Sequence, residues 1–290
     1  MKPAPFDYHR PASVDEALAL LAEHGYDAKL LAGGQSLVPA MNFRLAAPAV
    51  LIDLNRIAGL DSITETDGGV RIGAMVRQRI AERSPVVAAR APLIAETLPF
   101  VAHAQIRNRG TMGGSIAHAD PAAELPAVML ALGARFEVRG AGGARFVAAD
   151  DFFTGLFATA LEPEEILVGM EIPAAEPRSG FAFDELSRRH GDFALAGVAA
   201  AVRLDADGRC SDARIALLSV GDGPVLAVHA AAALVGQLPT TEAIAAAADA
   251  AARLDIDPPA DIHATAAYRR HITGVLVRRV LPRAFERAAG

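Results

Sequence analysis

The sequence predicts an α+β chain in three parts, and three observations carry that reading. The first sixty residues alternate short apolar runs with helical periodicity, as a small parallel sheet requires. Two hairpin signatures follow, one around Asp67-Gly68-Gly69 and one around Gly140, Gly142 and Gly143, as antiparallel pairing requires. From residue 181 onward strands come first and Ala-rich helices after. The expected divisions are 1–57 (α/β), 58–176 (an antiparallel sheet with inserted helices) and 177–290 (sheet plus helices).

Ser13-Val-Asp-Glu16 fits a capping box, with Leu18, Leu21 and Ala22 on one helix face and Gly25 as the stop. "AKLLA" (28–32) and "AVLIDL" (49–54) read as buried strands, and Leu37, Met41 and Leu45 between them fall at helical spacing. "LDSITETDGGVRIGA" is the first hairpin, "ARFEVRGAGGARFVAADDFF" (134–153) the second, and "EILVGMEIP" (165–173) a further strand. Helices are expected at 77–83, 86–98 and 122–132, before a break at "PAAEPRSG". "FAFDELSRR", "AGVAAAVRLD" and "ARIALLSVG" are strands, and the Ala-rich helices after them read as packing elements.

Hydrophobic residues make up 52 % of 290 residues and the mean hydropathy is +0.27, ample for packed cores. No apolar run reaches the roughly 18 residues of a membrane span, and the N-terminus lacks a signal-peptide pattern. Net charge is −6 with signs mixed, so no basic block points to nucleic acid. The 26 arginines against 2 lysines fit a GC-rich coding bias better than a function. Cys210 stands alone, which excludes an internal disulfide and a cysteine-ligated cluster within this chain. The eight histidines show no metal-ligand spacing.

Two glycine pairs remain. Ala32-Gly33-Gly34-Gln35-Ser36 opens into a helix beginning at Leu37, and Thr111-Met112-Gly113-Gly114-Ser115 repeats the device. Each alone is an ordinary turn. Together they suggest two loops exposing successive backbone N–H groups, a concave anion site suited to a diphosphate. Neither matches G-x-G-x-x-G or the P-loop pattern.

In order and spacing, "LAGGQSLVPAMNFRLAAPAVLIDLN", "QIRNRGTMGGSIAHADPAAELPAVMLAL", "FFTG…LEPEEILVGMEIP" and "RRHGDFALAGVAAAV" resemble one family from about residue 3 to 285. It is the FAD-binding medium subunit of bacterial molybdenum hydroxylases, such as carbon monoxide dehydrogenase and aromatic-ring hydroxylases. The FAD domain of xanthine dehydrogenase is more distantly similar. The resemblance implies a vanillyl-alcohol-oxidase or p-cresol-methylhydroxylase (PCMH/VAO) type of fold with FAD between the first two parts. It implies that Ala32–Ser36 and Thr111–Ser115 wrap the pyrophosphate and adjoining parts of FAD, with Leu37 also in the cofactor site, and that Glu124 bonds to a cofactor hydroxyl. The start of a helix explains Glu124 equally well. Val101, Ala117, Asp120, Leu167, Glu185 and Phe193 complete the implied site, Leu167 as an apolar contact or a strand core residue. Phe193 falls near the isoalloxazine ring, where it can cover a face but not donate a hydrogen bond. Gln35 replaces a histidine of several relatives. Asp184-Glu185 stands where relatives often carry lysine, with Arg188 or Arg189 as substitutes for that charge.

The implied function is electron transfer. A large molybdopterin subunit oxidises the substrate, a small subunit passes electrons through two 2Fe–2S clusters, and this chain hands them from FAD to an external acceptor. A cytoplasmic dimer of heterotrimers is the implied assembly. The alternatives are a self-sufficient FAD oxidoreductase and a non-catalytic protein of the same architecture. No residue constellation for acid–base or nucleophilic catalysis is visible, and a flavin relay needs none.

Overall fold

The computed structural model describes residues 2–290. Its first sheet is β1 (Asp7–His9), β2 (Ala28–Leu31) and β3 (Val50–Asp53), parallel throughout, in the order β1-β3-β2. The three residues of β1 carry too little pattern to be read from sequence. Helix α1 (Val14–His24) connects β1 to β2 and is capped as expected, Ser13 Oγ accepting from Glu16 N at 3.1 Å. The Glu16 carboxylate accepts from Ala12 N at 2.7 Å, one residue outside the expected box. The buried stripe is Ala17 and Leu21 with half-buried Leu18, while Ala22 faces solvent. Helix α2 (Leu37–Asn42) is shorter than the spacing of Leu37, Met41 and Leu45 implies. Arg44 at φ 58° turns the chain out of the helix, so only Met41 is buried and Leu45 is 84 % exposed.

The middle part holds β4 (Ile63–Thr66), β5 (Gly69–Gly73), β6 (Arg135–Gly140), β7 (Gly143–Ala148), the short ribbon β8 (Phe153–Gly155) with β9 (Ala158–Thr159), and β10 (Ile166–Pro173). Both expected hairpins form, and the sheet runs β4-β5-β10-β6-β7, all antiparallel. Between β5 and β6 lie α3 (Gln78–Arg83), α4 (Pro85–Arg90), α5 (Pro92–Thr97), α6 (Ala104–Arg107), α7 (Met112–His118) and α8 (Glu124–Ala131). The single helix expected at 86–98 is broken at Ala91, whose extended φ of −141° is what a residue before proline favours. Helices α6 and α7 were not anticipated, because Gly110, Gly113 and Gly114 read as loop. Helix α8 is buried along its length between the middle core and the third sheet, and α9 (Ala149–Phe152) follows β7.

The third sheet is antiparallel in the order β11 (Ser179–Ser187), β12 (Ala194–Leu204), β13 (Cys210–Leu218), β14 (Val225–Leu226). Helices α10 (Val228–Leu234), α11 (Thr241–Arg253, capped by Thr240) and α12 (Ala266–Ala289) cover it. Fully buried Leu217, Ala247, Val277 and Val280 join sheet and helices in one core, where each Val or Leu contributes about 1.5–3 kcal/mol. Glu96 of α5 accepts from Arg283 and Arg287 of α12, tying the middle and third parts.

Candidate cofactor site

The first glycine pair follows β2 directly. Among the described residues, the N–H groups of Gly33, Gly34, Gln35 and Ser36 have no acceptor within the chain. Gly34 holds φ 72°, a conformation that side chains rarely adopt. The Gln35 amide donates to the Gly33 carbonyl at 3.1 Å and closes the loop on itself. Ser36 is exposed and its hydroxyl caps nothing. A curved row of unpaired N–H groups is an anion cradle.

The second pair behaves differently, and here the expectation of two equivalent loops fails. Met112 N donates to Val76 O at 2.9 Å and Gly113 N to Ala74 O at 2.8 Å. Gly114 N donates to Thr111 Oγ1 at 3.0 Å and Ser115 N to Thr111 O at 3.2 Å. All four donors are engaged, because the start of α7 docks on the segment after β5 and is capped by Thr111. Its glycines serve close approach instead. A Cβ on Gly113 would lie 2.7 Å from Ala74 Cα, and one on Gly114 would lie 2.6 Å from Thr111 Oγ1 and 3.3 Å from Ala32 Cβ. A Cβ on Gly33 would lie 2.8 Å from Gly110 Cα. The two loops therefore touch, backbone against backbone, as side chains would prevent.

A hydrogen-bonded chain that sequence reading missed holds this contact. Tyr8 Oη donates to Asp53 Oδ2, and Asp53 Oδ1 accepts from Asn55 N at 2.8 Å and Asn55 Nδ2 at 2.5 Å. Asn55 Nδ2 also donates to Ala32 O at 2.9 Å. Arg77 donates through Nη2 to Asn55 Oδ1 and through Nη1 to Arg109 O. Despite its burial, Asp53 is held below the usual carboxylate range by these donors. A cavity of about 480 Å³ opens here, lined by Tyr8, Gly34, Asn42, Asp53, Asn55 and Arg109 among others. The one legible signal was Asp53-Leu-Asn55 at the end of a parallel strand, where ligands of such sheets gather.

Beyond α7 lies a second cluster. Ala119 takes a left-handed φ of 50°, Asp120 Oδ1 accepts from Ala122 N at 2.9 Å, and Glu124 begins α8 at 7 % exposure. Burial, then the Asp120 charge, pushes Glu124 up to about 7. Glu185 on β11 interacts with it across the boundary; burial, then Glu124 and Asp184, push Glu185 up to about 9. Its Oε2 is buried with no partner. Of the two expected substitutes for that charge, Arg188 is exposed and pairs with Asp192 at 3.6 Å, and Arg189 is exposed. Arg283 from α12 is the cation beside Asp184, at 3.9 Å.

The remaining expected residues divide by environment. Met112, Val101 and Leu167 lie in the middle core, where Leu167 is a strand core residue and an apolar cofactor contact remains compatible with it. The Val101 carbonyl is held by buried Arg107 at 2.9 Å. Ala117 is exposed on α7, and Phe193, 69 % exposed, ends a loop whose Gly191 abuts the His103 ring. Among the described residues no group of three or more His, Cys, Asp or Glu is placed to hold a metal ion.

Known proteins are similar to this chain in sequence and fold. The carbon monoxide dehydrogenase medium chain of Hydrogenophaga pseudoflava is 43 % identical over 289 residues, spanning all of both chains. The 6-hydroxypseudooxynicotine dehydrogenase complex subunit alpha of Paenarthrobacter nicotinovorans is 43 % identical over 288 residues, 99 % of this chain and 97 % of that one. A solved carbon monoxide dehydrogenase from Hydrogenophaga pseudoflava, lacking the Mo-pyranopterin moiety of its cofactor, superposes with TM-score 0.96 at 45 % identity over 99 % of each chain. Residues 181–284 match the CO dehydrogenase flavoprotein C-terminal domain. Residues 4–175 match the FAD binding domain in molybdopterin dehydrogenase, and the chain belongs to that family of flavoprotein subunits.

Proposed function

We propose that this chain is the FAD-binding, electron-transferring subunit of a heteromeric molybdenum hydroxylase. The observation that carries the reading is the row of unpaired N–H groups at Gly33–Ser36, closed against the second loop. That row fits a diphosphate, and Arg109 lines the same hollow. The residues present fit the cofactor elsewhere too. Thr111 Oγ1 accepts from Gly114 N and so keeps its hydroxyl proton to donate. The carboxyl pair Glu124 and Glu185 stands beyond the far end of α7, whose seven residues span about 10 Å. An extended dinucleotide has that reach, with Glu124 offered to a hydroxyl and Phe193 to a ring face.

When bound, FAD supplies a centre that accepts and releases electrons. The chain's own contribution is to bind the diphosphate, shut water from the loop contact and hold a proton at Glu185. Cys210 is buried on β13 with its thiol pushed up to about 11 by burial, so the iron–sulfur clusters belong to a partner. The assembly we infer contains a large molybdopterin subunit and a small 2Fe–2S subunit, paired as a cytoplasmic dimer of heterotrimers. Among the described residues, no helix is long and apolar enough to cross a membrane. The inferred domain divisions fall after residues 57 and 176.

The relatives act on carbon monoxide and on 6-hydroxypseudooxynicotine by name. The substrate of this assembly is therefore set by the partner subunit. The test is purification of the chain with FAD, followed by reconstitution with its co-purifying partners. A visible flavin band, with substrate-dependent dye reduction only when all subunits are present, is the expected result. Absence of the band refutes cofactor binding, and turnover by the chain alone refutes the subunit reading.

A further inference from the structure

Arg77 occupies an unusual electrostatic position. It is half-buried just before α3, and both Nη groups bond to neutral oxygens, those of Asn55 and Arg109. Among the described residues no carboxylate lies within ion-pair distance of it. Burial first, and the neighbouring Arg109 charge second, push its guanidinium below the usual value, with Asp53 opposing them. Two arginines thus stand together beside a row of unpaired N–H groups, with the Asp53 carboxylate reached from Arg77 only through Asn55. Each half of the tie ends on a flank of the loop contact: Asn55 on the Ala32 carbonyl, Arg77 on the Arg109 carbonyl. Ala32 precedes Gly33, and Arg109 precedes the Gly110 that Gly33 touches.

We propose that Arg77 is a positioning residue for the diphosphate cradle. Through Asn55 and the Arg109 carbonyl it holds the two glycine loops at the spacing the cradle needs. Its unpaired charge, with that of Arg109, complements the diphosphate. The inference rests on the FAD reading above.

The test compares Arg77→Met, Arg77→Lys and Asn55→Ala with the wild-type chain. The readouts are FAD affinity at low and high salt, from quenching of flavin fluorescence, and, without FAD, amide exchange at Val38 and Gly110, which donate to Gly34 O and Ile106 O beside the two loops. Arg77→Met should weaken FAD binding about 30-fold, flatten its salt dependence and speed exchange at Val38 and Gly110. Arg77→Lys keeps the charge but loses the fork, and should weaken binding about fivefold with wild-type salt dependence. Asn55→Ala should speed exchange and weaken binding without changing the salt dependence. Affinity within about threefold of wild type in Arg77→Met overturns the proposal, the wild type binding FAD. Should Arg77→Met not fold, unchanged affinity in both Arg77→Lys and Asn55→Ala overturns it. A wild-type chain that binds no FAD refutes the functional reading instead. In that case exchange at Val38 and Gly110 alone decides the tie, and an unchanged rate in Arg77→Met and Asn55→Ala overturns it.

Discussion

Replacing Glu185 by glutamine removes one member of the buried carboxyl pair while keeping its shape and an N–H donor in place of the acid's O–H. In the folded chain Glu185 is pushed from 4.5 up to about 9 by burial and by the Glu124 and Asp184 charges. The folded state therefore binds more protons than the unfolded state between those values, and stability falls as pH rises through them. A single group held that firmly would cost as much as about 4 kcal/mol between pH 5 and 8, at 1.36 kcal/mol per pH unit. Sharing of the titration with Glu124 and water reaching the carboxyl bring this to about 2 kcal/mol. The assay is urea unfolding of the FAD-free chain at both pH values. Glu185→Gln should match the wild type at pH 5 and exceed it by about 2 kcal/mol at pH 8. Parallel pH dependence of the two proteins, or a variant weaker at pH 8, refutes the account of the pair as one that resists ionisation.

Three further outcomes follow from the glycine contacts and the ion cluster. Gly113→Ala drives a methyl into Ala74 and should cost the fold about 2–3 kcal/mol by chemical denaturation, more than any exposed alanine substitution. Gly114→Val crowds Thr111 Oγ1 and Ala32, so the purified variant should lose its flavin band. The same change should cost the cap about 1 kcal/mol, and a full flavin complement would contradict the role of this loop contact. Glu96→Ala strands Arg283 and Arg287 of α12 and should lower stability by about 1 kcal/mol, an effect that high salt diminishes because both arginines are half-exposed.

How far the sequence reached differs from element to element. The hairpins at 63–73 and 135–148 were legible because their turns need glycine and their strands alternate, both local properties. Strand β1 and helices α6 and α7 were not, since three residues carry no period and glycines imitate a loop. At Leu45 helical spacing was real but misleading, because Arg44 leaves the helix first. In the site, Ala32–Ser36 and Thr111–Ser115 stood out as glycine motifs, yet their opposite uses were invisible. Which N–H groups stay free depends on whether residues 74–76 lie alongside, and that is a tertiary matter.

By itself, the sequence determined the order of the three sheets, their hairpins and the two glycine pairs, because turn chemistry and side-chain period act over a few residues. Its lone cysteine likewise excluded any cysteine-ligated cluster held by this chain alone. Only the tertiary structure decided that Gly33 meets Gly110, that Arg77 and Asn55 tie the two loops, and that the Glu124 charge acts on Glu185. Those contacts join residues far apart in the chain, and whether a polar group there is free, paired or protonated depends on what the fold places beside it.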